Sequence, residues 1–153
     1  MRLIVAVDKN WAIGREGALL FRIPEDLHHF KALTWGQTIL YGRKTMATFP
    51  GGKPLPGRRN LVLTHHPETL PPGAEGLVTL SGLEEAFVVG GASVYVQLLP
   101  QCTEAYVTKV DADGGGDAFF PNLDASPEWR LAETSEPKQC HGLTYRFCRY
   151  ERL

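Results

Sequence analysis

The chain has 153 residues, of which 43% are hydrophobic and 22% are charged, and its formal net charge is −1. This balance excludes wholesale disorder and fibrous repeats, and the length predicts one small soluble domain over residues 1–153 whose core needs no metal or disulfide. The near-neutral charge, without a basic amphipathic helix, argues against a nucleic-acid partner and against a membrane surface.

Compartment and assembly are predicted from short features. The first apolar run, Leu3–Val7, is shorter than the roughly 7–15 residues of a signal-peptide core or the roughly 20 of a membrane span, so we expect a cytoplasmic protein. Cys102, Cys140 and Cys148 form no CxxC spacing and predict reduced, packed thiols. The histidine pairs are adjacent rather than four residues apart, which predicts no metal site. No segment has the pattern of an interface, so a monomer is expected.

Apolar runs of strand length alternate with glycine and proline along most of the chain. Several runs are continuously apolar, which is typical of parallel strands covered on both faces. The tail differs, because Trp129–Thr134 and Leu143–Arg149 predict an antiparallel hairpin. The other predicted strands are Leu3–Val7, Thr38–Tyr41, Asn60–Thr64, Gly76–Leu80, Phe87–Val89 and Ala105–Val110.

Three helices are predicted between these strands. The first begins at Pro24, which suits the first helical position, and extends to about Thr34. The other two extend from Arg43 to about Thr48, and from Ala92 to about Leu99 before Pro100. The alternation predicts an α/β fold: a mixed, mostly parallel central sheet with an antiparallel C-terminal edge hairpin and flanking helices.

The first candidate functional residue is Asp26. On the first predicted helix it shares a face with Phe30 and Leu33, at i, i+4 and i+7. A carboxylate on an apolar face is costly to bury unless it is paired or protonated. The spacing alone leaves open the simpler interpretation, an acid of the first turn that stabilises the helix dipole.

Two strand–glycine–helix junctions indicate phosphate binding. Backbone N–H groups at the helix start after Val88–Gly91 can face a phosphate, as can those after Tyr41–Gly42. The second junction continues into Arg43 and Lys44, and His65 can approach the same region. Two such junctions on one sheet favour a dinucleotide, and the cations favour NADP over NAD. The alternatives are a tight turn at the first junction and a solvated cationic pair at the second.

The segment Pro54–Asn60 predicts a stiff loop. Its two prolines and one glycine fix the arginine that follows, Arg58, which suits a forked contact to a carboxylate. A purely structural turn is the alternative.

Taken in order, these segments resemble the dihydrofolate reductase family over essentially the whole chain. That resemblance implies NADPH-dependent reduction of 7,8-dihydrofolate to tetrahydrofolate, with hydride transfer to pterin C6 and protonation at N5. The matching segments are Ala12–Gly14, Ile23–Leu27 with Phe30 and Lys31, Gly42–Thr45, Pro54–Asn60, Val89–Gly91 with Val94 and Tyr95, Tyr106–Thr108, Gly116–Asp117 and Phe120–Pro121.

The resemblance also implies roles for residues of the substrate half. Asp26 would hold the pterin through its amino and N3 positions and favour N5 protonation through water, with Thr108 as its hydroxyl partner. Arg58 would pair with the α-carboxylate of the glutamate tail. The apolar slot for the pterin and aminobenzoate would consist of Ile4, Val5, Leu27, Phe30, Phe49, Leu55 and Val89.

For the cofactor half, the resemblance implies three groups of contacts with NADPH. The nicotinamide would be surrounded by Ala6, Ile13, Gly14 and Tyr95. The pyrophosphate would meet Gly91, Ala92, Ser93 and Val94. The adenosine half and its 2′-phosphate would meet Arg43, Lys44, Thr45, Thr64 and His65. Further cofactor contacts are expected from Leu19, Gly42, Leu63 and Gly90.

The sequence departs from the family pattern at two places. Leu19–Phe21 stands where many members carry Leu-Pro-Trp, so Phe21, counted among the catalytic residues, lacks an indole N–H and would hold a water less firmly; activity is still expected. The surrounding segment Lys9–Ile23 is the predicted lid. The second departure is a crossover of only six residues, Ser81–Ala86, where about 10–12 are usual. Either the crossover is trimmed, which predicts weaker packing beside the adenine site, or natural residues are missing from the sequence.

Two other functions stay open from the sequence. A reductase of another pterin or of a pyrimidine, as in riboflavin synthesis, shares the fold but is not expected to combine Asp26 with Arg58. A nucleotide-binding module without catalysis is the alternative that the short crossover keeps open.

Overall fold

Most of the apolar runs form strands of a nine-stranded sheet in the computed structural model, which describes residues 1–153. Three further strands, β2, β3 and β9, form a separate sheet. The strands are β1 (Arg2–Val7), β2 (Ala12–Arg15), β3 (Ala18–Leu19), β4 (Thr38–Gly42), β5 (Arg59–Leu63), β6 (Ala74–Gly76), β7 (Phe87–Gly90), β8 (Glu104–Val110), β9 (Ala118–Phe119), β10 (Trp129–Thr134), β11 (Lys138–Cys140) and β12 (Leu143–Arg152). The helices are α1 (Pro24–Thr34), α2 (Arg43–Met46) and α3 (Ala92–Leu98).

The order of strands in the main sheet is β10-β12-β8-β1-β7-β4-β5-β6, and β11 pairs separately with β12. All pairs from β8 to β6 are parallel, whereas β12 is antiparallel to β8, β10 and β11. The predicted mixed sheet is therefore confirmed. At the antiparallel edge, β12 pairs with β8 from Tyr145 to Glu151 on one side and with β10 and β11 on the other, so β10 and β11 are the outermost strands.

Both faces of the sheet are covered by apolar packing, which explains the continuous apolar runs. Successive side chains of a strand point to opposite faces. In β1, Leu3, Val5 and Val7 accordingly belong to the larger buried cluster, whereas Ile4 belongs to a second cluster on the other face.

The helix boundaries follow local signals. Helix α1 has the predicted ends, with Pro24 in its first turn and Lys31 in its last. Helix α2 is shorter than predicted and ends at Met46, and α3 ends at Leu98, where a 3-10 turn over Leu99–Gln101 accommodates the proline. None of the helices has the length and apolar character that a membrane span requires.

The predicted lid is partly ordered by strand pairing. Residues 12–19 form β2 and β3, which pair with each other and, through β2, with β9 in a separate three-stranded sheet. The turn between β2 and β3 has positive φ at Glu16 and Gly17. The segment is therefore a hairpin extended from the main sheet rather than an unpaired loop.

The predicted strand Gly76–Leu80 is wrong. The strand is β6, Ala74–Gly76, which pairs with β5 at the edge of the sheet. The next strand, β7, lies beyond β5 and β4. The chain leaves the edge after Leu77, whose N–H still donates to the Val62 carbonyl of β5 at 2.9 Å. The connection accordingly covers ten residues, 77–86, instead of six.

The crossover contains no helix. Two consecutive turns replace it, with the Leu83 N–H donating to the Leu80 carbonyl (3.2 Å) and the Ala86 N–H donating to the Leu83 carbonyl (3.1 Å). Leu77, Leu80, Leu83 and Ala86, spaced by three, pack on the larger cluster, while Val78 is 94% exposed. The turns therefore cover the sheet face with few side chains, and the weaker packing expected beside the adenine site stays a prediction.

Leu83→Ala should lower the free energy of unfolding by about 2–4 kcal/mol, because a buried leucine is removed from a thin cover. Val78→Ala in the same crossover should change it by less than about 0.5 kcal/mol, because that side chain is exposed. Urea unfolding of both variants measures the difference. Equal destabilisation would show that the crossover does not cover the core through Leu83.

Candidate functional site

A cleft of about 930 Å³ opens at the carboxyl ends of β1, β4, β5 and β7, which is where open α/β sheets bind ligands. Every residue predicted for the cofactor half lines it. Of the residues predicted for the substrate half and for catalysis, the lining includes Val5, Phe21, Asp26, Leu27 and Val89.

Asp26 lines this cleft and is hydrogen-bonded to Thr108, which is buried and does not line it. The Thr108 hydroxyl on β8 donates to Oδ1 of Asp26 in the first turn of α1, at 2.6 Å. Burial raises the pKa of the Asp26 carboxyl, while the hydrogen bond from Thr108 and the nearby His29 act in the opposite direction. The carboxyl is thus engaged by a strand rather than by its own helix start, and the interpretation as a simple helix-dipole residue loses its basis.

Part of the predicted apolar slot lies outside the lining of the cleft. Ile4 is buried in the second cluster, and its carbonyl accepts a hydrogen bond from the Tyr95 hydroxyl at 2.6 Å. Phe30, Phe49 and Leu55 pack on the same cluster, as does Val89. These five of the seven predicted slot residues therefore share one face of the sheet, whereas Val5 belongs to the cluster on the other face. Contact of the slot residues with substrate stays a prediction.

The loop that carries Arg58 is fixed by one buried asparagine. Oδ1 of Asn60 accepts from the Tyr41 hydroxyl (2.7 Å) and from the Leu55 N–H (3.0 Å). Its Nδ2 donates to the carbonyls of Leu55 (2.9 Å) and Arg58 (3.0 Å). All the strong hydrogen-bonding positions of this side chain are used, so the loop has one defined conformation.

Arg58 itself keeps its charge free of acidic partners. Its Nε donates to the Pro56 carbonyl at 2.8 Å and its Nη1 donates to Thr34 at 3.3 Å. The guanidinium carbon lies 5.4 Å from the centre of the exposed Trp35 ring, and none of the ion pairs in the structure includes Arg58. Burial lowers the pKa of the guanidinium, which remains a preoriented cation outside the cleft lining.

The two glycine junctions touch each other, as binding of one dinucleotide requires. A Cβ on Gly42 would lie 3.1 Å from Val94 of α3, and one on Gly91 would lie 3.4 Å from Oγ1 of Thr45 in α2. The first N–H group of α3 that donates to a helix carbonyl is that of Tyr95, which donates to Gly91. The N–H groups of Ala92, Ser93 and Val94 therefore have no partner in the helix. These free donors fit a pyrophosphate.

The cations predicted for the 2′-phosphate stand at the other end of this half. Arg43 and Lys44 are exposed at the start of α2, and His65 is exposed after β5. Arg43 donates to the Thr69 carbonyl at 3.2 Å, while none of the three forms an ion pair within the chain. The charges of Arg43 and Lys44 and the imidazole of His65 therefore remain available to an anionic ligand.

Sequence reasoning missed Asp8, which fixes the base of the predicted lid. This buried carboxylate accepts N–H groups of Asn10 (2.8 Å) and Ala12 (2.9 Å) through Oδ1, and of Gly114 (2.8 Å) through Oδ2. The only sequence signal is an acid at the end of an apolar strand. The other lining residues that were not predicted are Gly17, Ala18, Leu20, Ile23, Thr48, Leu77, Gln97 and Ala118.

Metal chemistry has no donor set here, because no three His, Cys, Asp or Glu side chains cluster to hold an ion. Fold and cleft together define an α/β protein that binds a dinucleotide beside a second ligand at a half-buried carboxyl. The family model described as dihydrofolate reductase matches residues 1–152. The chain belongs to the dihydrofolate reductase family.

Curated relatives cover nearly the full length. A dihydrofolate reductase of Neisseria gonorrhoeae is 40% identical over 156 residues, covering 97% of this chain and 95% of the relative. Those of Bacillus subtilis (37% over 158 residues; 97% and 92%) and Mycobacterium tuberculosis (41% over 165 residues; 98% and 96%) are similar. Each alignment is longer than this chain, so the relatives carry residues without a counterpart here.

A solved structure gives the same fold. Dihydrofolate reductase from Enterococcus faecalis, complexed with NADP(H) and RAB-propyl, superposes with a TM-score of 0.85 at 30% sequence identity. The match covers 99% of this chain and 95% of that one. The family architecture is therefore present although the crossover consists of turns and has no helix.

Proposed function

We propose that this chain reduces 7,8-dihydrofolate to 5,6,7,8-tetrahydrofolate with NADPH, adding a hydride at pterin C6 and a proton at N5. The observation that carries the proposal is the Asp26 carboxyl, hydrogen-bonded to Thr108 and lining a cleft whose other half consists of two touching glycine junctions. When bound, NADPH supplies the hydride. The protein supplies position, an apolar setting and control of one proton.

The cofactor half of the cleft has the donors that NADPH needs. The N–H groups of Ala92, Ser93 and Val94 would hold the pyrophosphate, beside Gly90 and Gly91, where small side chains leave room. Arg43, Lys44 and His65 would hold the 2′-phosphate. The remaining contacts would come from Ala6, Ile13, Gly14, Leu19, Gly42, Thr45, Leu63, Thr64 and Tyr95, all of which line the cleft.

Asp26 is the group that would control protonation of the substrate at N5. Its carboxyl would accept hydrogen bonds from the pterin amino and N3 positions and favour N5 protonation through water. Thr108 orients the carboxyl, since its hydroxyl occupies Oδ1 and leaves Oδ2 for the ligand. The apolar surroundings raise the pKa of Asp26, which brings the carboxyl nearer to the pH at which it can take part in proton transfer.

The substrate tail would extend from the cleft toward Arg58. The pterin would lie against Val5, Leu27 and Val89, and Arg58 would pair with the α-carboxylate of the glutamate. The aminobenzoate would lie between these two points, with the slot completed by Ile4, Phe30, Phe49 and Leu55.

The hairpin of β2 and β3 would close over both ligands. Phe21 lines the cleft just after this hairpin, and it excludes water there without offering a hydrogen bond. Asp8 would keep the base of the hairpin in place while its tip moves.

We further propose that the protein acts as a cytoplasmic monomer with one domain over residues 1–153 and without a nucleic-acid partner. Strands from both ends of the chain, β1 and β12, pair with the same strand β8, which supports one domain. The three cysteines are free, as is usual in a reducing compartment. The net charge of −1 offers no attraction to nucleic acid.

Purified protein should consume NADPH, followed by absorbance, only when dihydrofolate is added.

Asp26→Asn should lower kcat about 100-fold or more near pH 7, because the group that favours N5 protonation is lost. Its activity should recover partly at low pH, where the substrate arrives protonated. Because the folded pKa of Asp26 is raised, the carboxylate costs stability above that pKa, so the variant should be at least as stable as wild type near pH 7. Equal activity of both proteins across pH would contradict this role.

Arg58→Leu should raise KM for dihydrofolate at least about 10-fold, because a charge-assisted contact to the tail is lost. It should leave turnover of a 7,8-dihydropterin without the glutamate tail unchanged. Arg59→Leu is the matched control, since the neighbouring Arg59 pairs with Glu75. If Arg58→Leu affects both substrates equally, the tail is not bound there and a reductase of another pterin becomes the better assignment.

A further inference from the structure

One turn of α1 spans two paired strands. Asp26 meets Thr108 of β8, and one turn later His29 stacks on Phe147 of β12, with ring centres 4.1 Å apart and planes 19° apart. Thr108 and Phe147 are direct partners in the β8–β12 pairing, so their side chains lie on the same face of the sheet. Residues three apart on a helix are likewise neighbours. The Asp26–Thr108 and His29–Phe147 contacts therefore join two neighbouring residues of α1 to two directly paired strand residues.

We propose that His29 is a positioning residue for the reaction: its stacked ring holds α1 on the β8–β12 pair so that the Asp26 carboxyl stays against Thr108, and its charge acts on that carboxyl. This inference rests on the proposed function of Asp26. His29 does not line the cleft, and it acts through Asp26.

The stack is reinforced from the strand side. Lys138 of β11 forms an ion pair with Glu25 at 3.2 Å and lies 5.8 Å from the centre of the Phe147 ring. The Tyr145 hydroxyl of β12 donates to Oε2 of Glu25 at 3.1 Å. The first turn of α1 is thus held by the polar cluster around Glu25, and the following turn is held by the aromatic stack of His29.

The charges around His29 set the direction in which His29 and Asp26 shift the pKa of each other. The charged and titratable groups facing it are Glu25 and Asp26 on α1, Lys138 on β11 and Tyr145 on β12. Burial lowers the pKa of His29, while the carboxylates of Asp26 and Glu25 act in the opposite direction. Protonated His29 in turn favours the carboxylate form of Asp26. Because coupling between two sites is reciprocal, the loss of either group should shift the pKa of the other.

Two substitutions separate the ring from the charge. His29→Phe keeps a stacking ring without a charge, and His29→Ala removes both. We expect kcat within about 2-fold of wild type for His29→Phe and about 10-fold lower for His29→Ala, with KM changed less than kcat, because a displaced carboxyl costs rate more than binding. His28→Ala, an exposed neighbour on α1, is the matched control and should resemble wild type.

The decisive readout is an NMR titration of the ligand-free protein, which stays informative even if no turnover is found. Asp26→Asn should lower the pKa of the His29 imidazole, and His29→Phe should raise the pKa of the Asp26 carboxyl. His28→Ala should shift neither. The inference is overturned if Asp26→Asn leaves the His29 titration unchanged, or if His29→Ala retains the wild-type kcat and pH profile. Absence of turnover in the wild type would instead overturn the proposed function alone.

Discussion

The structure depends on one partly buried hydrogen bond, from the Thr108 hydroxyl to the Asp26 carboxyl. A half-buried carboxyl without a partner is costly in apolar surroundings, so the helix that carries Asp26 must lie where the strand that carries Thr108 can reach it. Strand β8 is fixed in turn by its pairing with β1 on one side and β12 on the other. The residue proposed to handle the proton is therefore held by the most extensively paired part of the sheet.

The two halves of the cleft are built with different amounts of support. The half around Asp26 rests on long strands, an aromatic stack and an ion pair. The half proposed for NADPH rests on glycine junctions and is backed by a crossover that covers the sheet with turns in place of a helix. This half offers backbone donors and exposed cations, whose geometry a bound dinucleotide completes. We expect ligand binding to stabilise it more than the other half.

The sequence predicts elements well where the signal is local. Helix α1 has its predicted ends because Pro24 sets its start. The central strands, which are packed on both faces of the sheet, are continuous apolar runs. Edge strand β6 was placed wrongly because Ala74–Gly76 pairs with β5 without an apolar run of its own, while the apolar residues after it pack as turns. Asp8 was missed because one of its partners, Gly114, lies 106 residues away, and no local pattern encodes that contact.

The proposed mechanism depends most on Thr108, which holds the Asp26 carboxyl in apolar surroundings and limits the rise of its pKa. Carbon-13 NMR of the Asp26 carboxyl, titrated in the wild type and in Thr108→Val, tests it most directly. The hydrogen bond favours the carboxylate while burial opposes it. Removing the hydroxyl should leave burial unopposed by that bond and raise the pKa above the already elevated wild-type value. A pKa that is unchanged or lower in Thr108→Val would contradict the account.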